Sequence, residues 1–426
     1  MEVIIFLIAL VVCIAAGFVS KINPGALAIV CAALIGVFLC NFSFNKVLGM
    51  WPMSIFMMLL MVMLFYGFAF ANGTLAKVAK YIPYWMRKCP ALLPIALFLL
   101  CFTVSAIGVG PFGVFAILGP IVMAVALDAG IPRLVAAFAI IGGGGMGALS
   151  PISTGGIVIK NYATVTGYGA MADAIVMNVW LNIIIADALI FLITYVLFKG
   201  WRLPDATYEK PEPFDKKQRQ TLIIIAVVLA LTILPSVLYA FVGSPFLKLL
   251  KEALNVSVCC AFGCALCCLL KVANEKDAFK TMPWPTILLI CGVSMLIQVA
   301  VEFGIVDQLS AWLTANVSGT IAMYIALLIS AAMSFFSSSL GVVVPTLSTL
   351  VPALEAITGA TPGLLFSIIT IAAMLSGYGP FSAGGGITLG GVTDEVERKK
   401  LYTYLLIASP VLVVFFALLV FVGIIA

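Results

Sequence analysis

Histidine is absent from the 426 residues, and charged residues make up only 9% of them. No mechanism that needs an imidazole base or ligand is therefore open to this chain. A soluble domain carries about a quarter of its residues as charges, so the shortage leaves almost no room for a water-soluble enzyme. The formal net charge is +5, but the basic residues are spread along the chain. No patch is dense enough for a nucleic-acid binder. What fills the chain instead is apolar, at 64% hydrophobic residues. That much apolar surface has nowhere to go in water, and the reading is a membrane protein of roughly ten spans at about 20 residues each.

Segment 3–19 has no basic leader and no small-residue cleavage site behind it, so it reads as a first transmembrane helix rather than a signal peptide. Further crossings are expected at 24–40, 54–71, 134–159, 174–198, 222–242, 256–272, 287–301, 364–389 and 401–425. Cys259, Cys260, Cys264, Cys267 and Cys268 crowd one of these helices, but no other ligand type accompanies them. They read as small buried residues rather than a metal site. Two apolar stretches, 92–126 and 321–354, are too long for one span, and each is interrupted near its middle. The interruptions are Ser105-Ala106-Ile107-Gly108-Val109-Gly110-Pro111 and Ser334-Phe335-Phe336-Ser337-Ser338-Ser339-Leu340-Gly341. Paired short helices around such a break describe a re-entrant hairpin, whose irregular backbone must be buried in protein or line a wet cavity.

Charge placement tests this count. With the N-terminus outside and both hairpins non-crossing, 18 of the 22 Lys and Arg residues fall on the cytoplasmic side. Lys46, Lys160, Lys248 and Lys251 remain outside. Both termini are then extracytoplasmic, and the polar stretch 200–220 is a cytoplasmic linker.

The linker divides two similar halves, 1–199 and 221–426. In the first, scaffold spans occupy 1–72, an amphipathic arm 73–90, a hairpin 91–127, and a broken span with its successor 131–199. In the second, the corresponding parts are 221–303, 304–318, 319–356 and 361–426. Trp51-Pro52 and Trp284-Pro285 open matching spans. Gly73 and Gly304 open matching arms. The broken spans read Ser150-Pro151-Ile152-Ser153-Thr154-Gly155-Gly156 and Gly379-Pro380-Phe381-Ser382-Ala383-Gly384-Gly385, sharing Pro-x-Ser-x-Gly-Gly. Five crossings per half place the second copy upside down. The expected fold is an all-α polytopic membrane protein: an inverted repeat of five crossings plus one re-entrant hairpin each, with two broken transmembrane helices. Inverted repeats with broken helices are the mark of secondary transporters.

In each broken span the proline ends one half-helix and the glycines allow re-entry. The next half-helix then points free N–H groups and its positive dipole end at the midplane. Two such ends make an anion site. The candidate substrate-binding residues are Ser150, Ser153, Thr154, Gly155 and Gly156, with Gly379, Ser382, Ala383, Gly384 and Gly385. The hairpin tips offer hydroxyl and carbonyl oxygens, which suit a hard cation. There the candidates are Ser105, Gly108, Gly110, Ser334, Ser337, Ser338 and Ser339. The bland alternative is that these small residues only allow close helix packing. That suffices for the Gly142–Gly145 run, whose counterpart is Ile371-Ala372-Ala373-Met374. It explains less well the same break at equivalent places in both halves. Asp187 is the one clear carboxylate inside a span and is the candidate for proton coupling. The alternative is a carboxylate hydrogen-bonded to a neighbouring helix near Asn182. Lys160 reads as an interfacial residue or else a substrate guide.

The chain resembles the ion-transporter superfamily of secondary carriers, which includes the divalent anion/sodium symporters. Gly147-Ala148-Leu149-Ser150-Pro151-Ile152-Ser153-Thr154-Gly155-Gly156-Ile157 and Ser376-Gly377-Tyr378-Gly379-Pro380-Phe381-Ser382-Ala383 look most like the MatC-type malonate/dicarboxylate carriers. The resemblance implies a homodimer, an elevator-type mechanism and small carboxylates as substrates. Sodium symporters of the superfamily carry Ser-Asn-Thr at both hairpin tips. Here those places read Ser105-Ala106-Ile107 and Ser334-Phe335-Phe336, so sodium and protons both stay open as the co-transported ion.

The expected function is secondary active transport of a C3–C4 dicarboxylate such as malonate or succinate across the cell (inner) membrane. No cofactor and no metal beyond a co-transported Na+ are expected. A sodium/proton antiporter, or another anion carrier of the same superfamily, is the alternative. An antiporter usually needs several midplane carboxylates, and Asp187 is nearly alone. A channel is a further alternative, though channels seldom need inverted broken repeats. An intramembrane protease would want a histidine or lysine base, or two intramembrane Asp residues; neither set is present.

Overall fold

The computed structural model describes residues 22–204, 210–242, 244–282, 284–304, 319–336, 338–380, 382–390 and 394–426, with residues 5–6, 8–9, 12–13, 308, 311 and 392. Most of segment 3–19 and most of the arm 304–318 lie outside the described residues, as does Ser337. Among the described residues every regular element is helical.

Apolar runs with few internal charges set most of the helices, and polar caps start some of them. In the first half α1 is Pro24–Leu34, α2 Phe44–Gly49 and α3 Met53–Ala71. Asn23 starts α1 by accepting from the Gly25 N–H, and Ser43 starts α2 by accepting from the Lys46 N–H. Gly73, in the left-handed region, then turns the chain by 62° into the amphipathic α4, Thr74–Met86. Next come α5 (Leu93–Val104), the stretch Ser105–Leu118 with two π-helical turns flanking Gly110–Gly113, and α6 (Gly119–Asp128). A non-helical segment separates α7 (Arg133–Ala148) from α8 (Thr154–Ala163), and α9 is Ala172–Leu197.

The second half runs through α10 (Lys216–Val242), α11 (Pro245–Ala253), α12 (Val256–Leu269), α13 (Glu275–Lys280) and α14 (Trp284–Glu302). Then follow α15 (Ile321–Phe336), α16 (Val344–Ser348) and α17 (Val351–Thr358). After them come α18 (Pro362–Ser376) and α19 (Ala383–Gly390), and α20 is Glu395–Phe421. The helix α10 begins at Lys216 rather than beyond residue 220. Asp215 accepts from the Gln218 N–H at 2.8 Å, and Gln218 reaches back to the Asp215 N–H at 3.2 Å. That is a reciprocal cap, which draws the end of the linker into the helix.

Three helical stretches, Pro90–Val109, Thr154–Leu197 and Glu395–Phe421, are individually long and apolar enough to cross a membrane. Shorter apolar helices, among them Pro24–Leu39, Arg133–Ala148, Val256–Leu269 and Pro362–Ser376, accompany them. The molecule is thus a multi-pass membrane protein, helical throughout its regular elements among the described residues. Its packing comes in matching pairs: α5 along α7 and α15 along α18, α1 along α14 and α12 along α3. At the α1–α14 crossing the backbones touch. A Cβ on Gly25 would strike the Leu288 carbonyl, and one on Gly292 would strike the Gly25 carbonyl. The run Gly142–Gly145 likewise lets α5 lie against α7, where a Cβ on Gly143 would come within 2.6 Å of the Phe98 carbonyl oxygen.

Candidate functional site

Both broken spans bring their interruptions to the first hairpin. The short turn Gly110–Gly113 packs against α8 and α19 alike. The half-helices also cross over: α8 packs on α16 of the second hairpin, and α19 on α6 of the first. Residues of both Pro-x-Ser-x-Gly-Gly motifs therefore meet around one hairpin tip.

At the first break, Ser150 donates its hydroxyl to the Ala106 carbonyl at 2.5 Å. This ties the loop to the hairpin tip. Ser153 precedes α8 with extended backbone, but its side chain does not cap the helix. Its hydroxyl is fully buried, at 0% exposure, with no hydrogen-bond partner among the described residues. A buried hydroxyl left unpaired costs about 1–3 kcal/mol, so the group calls for an explanation. The N–H groups of Thr154, Gly155 and Gly156, the orphans of any helix start, also have no acceptor among the described residues. Gly110, at φ +73°, faces this spot. A Cβ there would sit 2.6 Å from Thr154 Oγ1 and 3.9 Å from Ser153 Oγ. The structure thus gathers two hydroxyls and three free N–H groups, all buried, beside a glycine that leaves them room.

The second break uses the same sequence differently. Ser382 donates to the Gly379 carbonyl and accepts from the Gly385 N–H, both at 2.9 Å. Its hydroxyl is fully occupied in starting α19. Gly156 and Gly385 share one role, because a Cβ on either would strike the carbonyl of Ser150 or Gly379 in its own loop. Gly155 and Gly384 pack against Leu149 and Phe115 respectively.

The hairpin serines are tied down in register. Ser105 donates to the Gly144 carbonyl at 2.7 Å, and Ser334 to the Ala373 carbonyl at 2.8 Å. Each bond spans 39 residues. Ser339 also donates to Ala373 and lies 2.7 Å from Ser334, while Ser338 caps the Gly341 N–H. Gly108, at φ +118°, forms the first tip against Tyr66 and the Ile152 carbonyl. The Ile107 carbonyl accepts from the Tyr66 hydroxyl at 2.5 Å.

Asp187 is buried at 1% exposure on α9, and its Oδ1 accepts from the Tyr378 hydroxyl at 2.9 Å. Its partner is therefore a residue of the second break and not Asn182, which donates to Ser367 instead. Lys160 pairs with Asp173 at 2.6 Å on the surface. Sequence reasoning passed over Tyr66, Tyr162 and Tyr378, since a tyrosine in an apolar run gives no sign of its distant partner. Two more buried hydroxyls without partners among the described residues, Ser348 and Thr370, lie on α16 and α18. No cluster of His, Cys, Asp and Glu able to hold a metal occurs among the described residues.

Residues 1–148 match the family model described as the dicarboxylate carrier protein MatC N-terminus. The match covers the first hairpin and α7 and stops just short of the first break. Among solved structures, the chain is similar to the crystal structure of the Alcanivorax borkumensis YdaH transporter, which was reported to have an unusual topology. The two share 18% identity at a TM-score of 0.56, over 89% of this chain and 88% of that one. That likeness establishes the fold. No curated protein matches the chain.

Proposed function

We propose that the protein is a secondary active transporter of C3–C4 dicarboxylates such as malonate or succinate. One observation carries this reading: the buried Ser153 hydroxyl, unpartnered among the described residues, at a helix start whose first N–H groups are also free. A carboxylate there would accept from Ser153, Thr154 and the α8 N–H groups, and the positive end of the helix would favour its charge. The second carboxylate would face the start of α19 across the hairpin tip. No Lys or Arg lies in either break, so two helix ends of roughly half a charge each, with a co-transported Na+ or H+, would balance the dianion.

Ten crossings in two inverted halves are our reading of the matched packing pairs and of the twin 39-residue hydrogen bonds. The C-terminal Ala426 carbonyl accepts from Asn178 and Asn182 near the start of α9. That agrees with a C-terminus on the same side as Lys160 and Asp173. In this reading hairpins and broken spans move as one body along a dimeric scaffold. The links to be broken are Tyr66 to Ile107 and Tyr162 to Ser294, the latter at 2.9 Å. Rigid motion of this kind keeps backbone hydrogen bonds intact, as lipid demands.

The test is uptake of a labelled dicarboxylate panel into proteoliposomes with sodium and proton gradients imposed separately. Accumulation of a C3 or C4 dicarboxylate driven by one of the gradients is expected. Absence of any dicarboxylate uptake or exchange would refute the proposal.

A further inference from the structure

A second polar cavity lies away from the breaks, at the far end of α8. It measures about 490 Å³ and is lined by residues of α2, α3, α8 and α14. The α14 contribution is a stripe. Ser294, Gln298 and Glu302 recur every fourth residue in a mostly apolar helix, so they share one face. Opposite them stand Asn161 and Tyr162 of α8 and Lys46 of α2.

The cavity has a charged rim and a closed floor. At the rim Lys46 pairs with Glu302 at 3.1 Å, the side chains 47% and 44% exposed. The Lys46 ammonium also sits 4.1 Å over the Phe42 ring. At the floor the buried Tyr162 hydroxyl donates to Ser294 Oγ at 2.9 Å. Thr154 lies eight residues back along α8 from Tyr162, about 12 Å at helical rise. The cavity is therefore a separate compartment, on the same helix as the deep site. Its face is the one that the charge asymmetry assigns to the outside.

We propose that this cavity is an outer vestibule that binds a carboxylate anion before it reaches the deep site; the identity of the anion rests on the transport reading above. Lys46 has three N–H donors and spends one on Glu302. The remaining donors, with the Asn161 and Gln298 amides, suit one carboxylate. Glu302 holds the lysine at the mouth and competes with the incoming anion. Tyr162 and Ser294 close the path inward, and their bond joins α8 to the scaffold helix α14.

Trp51 lines the same cavity, which gives a direct readout. Succinate titrated into purified protein should change tryptophan emission, and Trp51→Phe should remove that change. The response should survive Ser153→Ala, which removes a hydroxyl from the deep site only. Lys46→Gln should weaken the response about fivefold at low salt, the scale of an exposed ion pair, with the deficit shrinking at high salt. Lys46→Arg should restore binding, and Glu302→Gln should tighten it. An unchanged affinity in Lys46→Gln, no Trp51-dependent change at saturating succinate, or loss of the response in Ser153→Ala would each overturn the vestibule. Uptake without a Trp51 response would sink the vestibule alone. A Trp51 response in a protein that transports no dicarboxylate would sink the transport reading alone.

Discussion

Ser153 and Ser382 occupy the same place in the two Pro-x-Ser-x-Gly-Gly motifs, yet their replacement by alanine should have opposite effects. Ser153 Oγ has no partner among the described residues, so Ser153→Ala leaves no protein group newly unpaired. The variant should be at least as stable as wild type, gaining up to the about 1–3 kcal/mol that the unpaired buried hydroxyl costs. Ser382 Oγ serves the Gly379 carbonyl and the Gly385 N–H. Ser382→Ala strips the start of α19 and should cost about 1–2 kcal/mol, as lost N-caps do. For binding the order reverses. A hydroxyl that bonds a charged carboxylate contributes about 1.5–3 kcal/mol, so Ser153→Ala should weaken malonate or succinate binding roughly ten- to hundredfold. Ser382→Ala should weaken it less, since that hydroxyl is already engaged. Thermal unfolding of both variants in detergent, with and without substrate, separates the two effects. If Ser153→Ala binds like wild type, or if it loses as much stability as Ser382→Ala, the argument from the unpaired hydroxyl fails.

Other consequences follow from the same geometry. Gly110→Ala would place its Cβ against Thr154 Oγ1 in a left-handed backbone conformation, and should abolish dicarboxylate binding, read by the same substrate-induced stabilisation. Asp187→Asn keeps an acceptor for Tyr378 but cannot carry a proton; if protons drive transport, the pH dependence of uptake should flatten while substrate exchange persists. Tyr162→Phe removes only the link to Ser294 and should change the uptake rate with little change in half-saturation. Reactive probes placed near Met1 and Ala426 should be labelled from outside intact cells, and one at Lys216 should be protected.

The interruptions of the helices were legible because proline and glycine interrupt helices for local reasons. The expected interruptions at 150–156 and 379–385 overlap the segments between α7 and α8 and between α18 and α19, while Thr154, Gly155 and Gly156 already belong to α8 and Ala383, Gly384 and Gly385 to α19. The extent of α1 and α3 follows equally from uncharged apolar runs. The unequal use of two identical motifs was not legible. Whether a serine caps its helix depends on the torsions that tertiary packing imposes, and Ser153 at φ −102° and ψ 168° makes no cap. Pairs such as Asp187 with Tyr378, 191 residues apart, leave no local trace. The Asp215–Gln218 cap and the Ser294–Gln298–Glu302 stripe did have local signatures, in a four-residue motif and an i, i+4 spacing. Only the fold could bring Lys46 to that stripe.

The central claim is that a substrate carboxylate sits between the two breaks, held by Ser153 and the start of α8. Bromosuccinate soaked into crystals of the protein, and located by the anomalous signal of bromine, tests it most directly. The account predicts a carboxylate within hydrogen-bond distance of Ser153 Oγ and the N–H groups of Thr154, Gly155 and Gly156, beside Gly110. A bromosuccinate bound elsewhere, with Ser153 still unpaired, would contradict it.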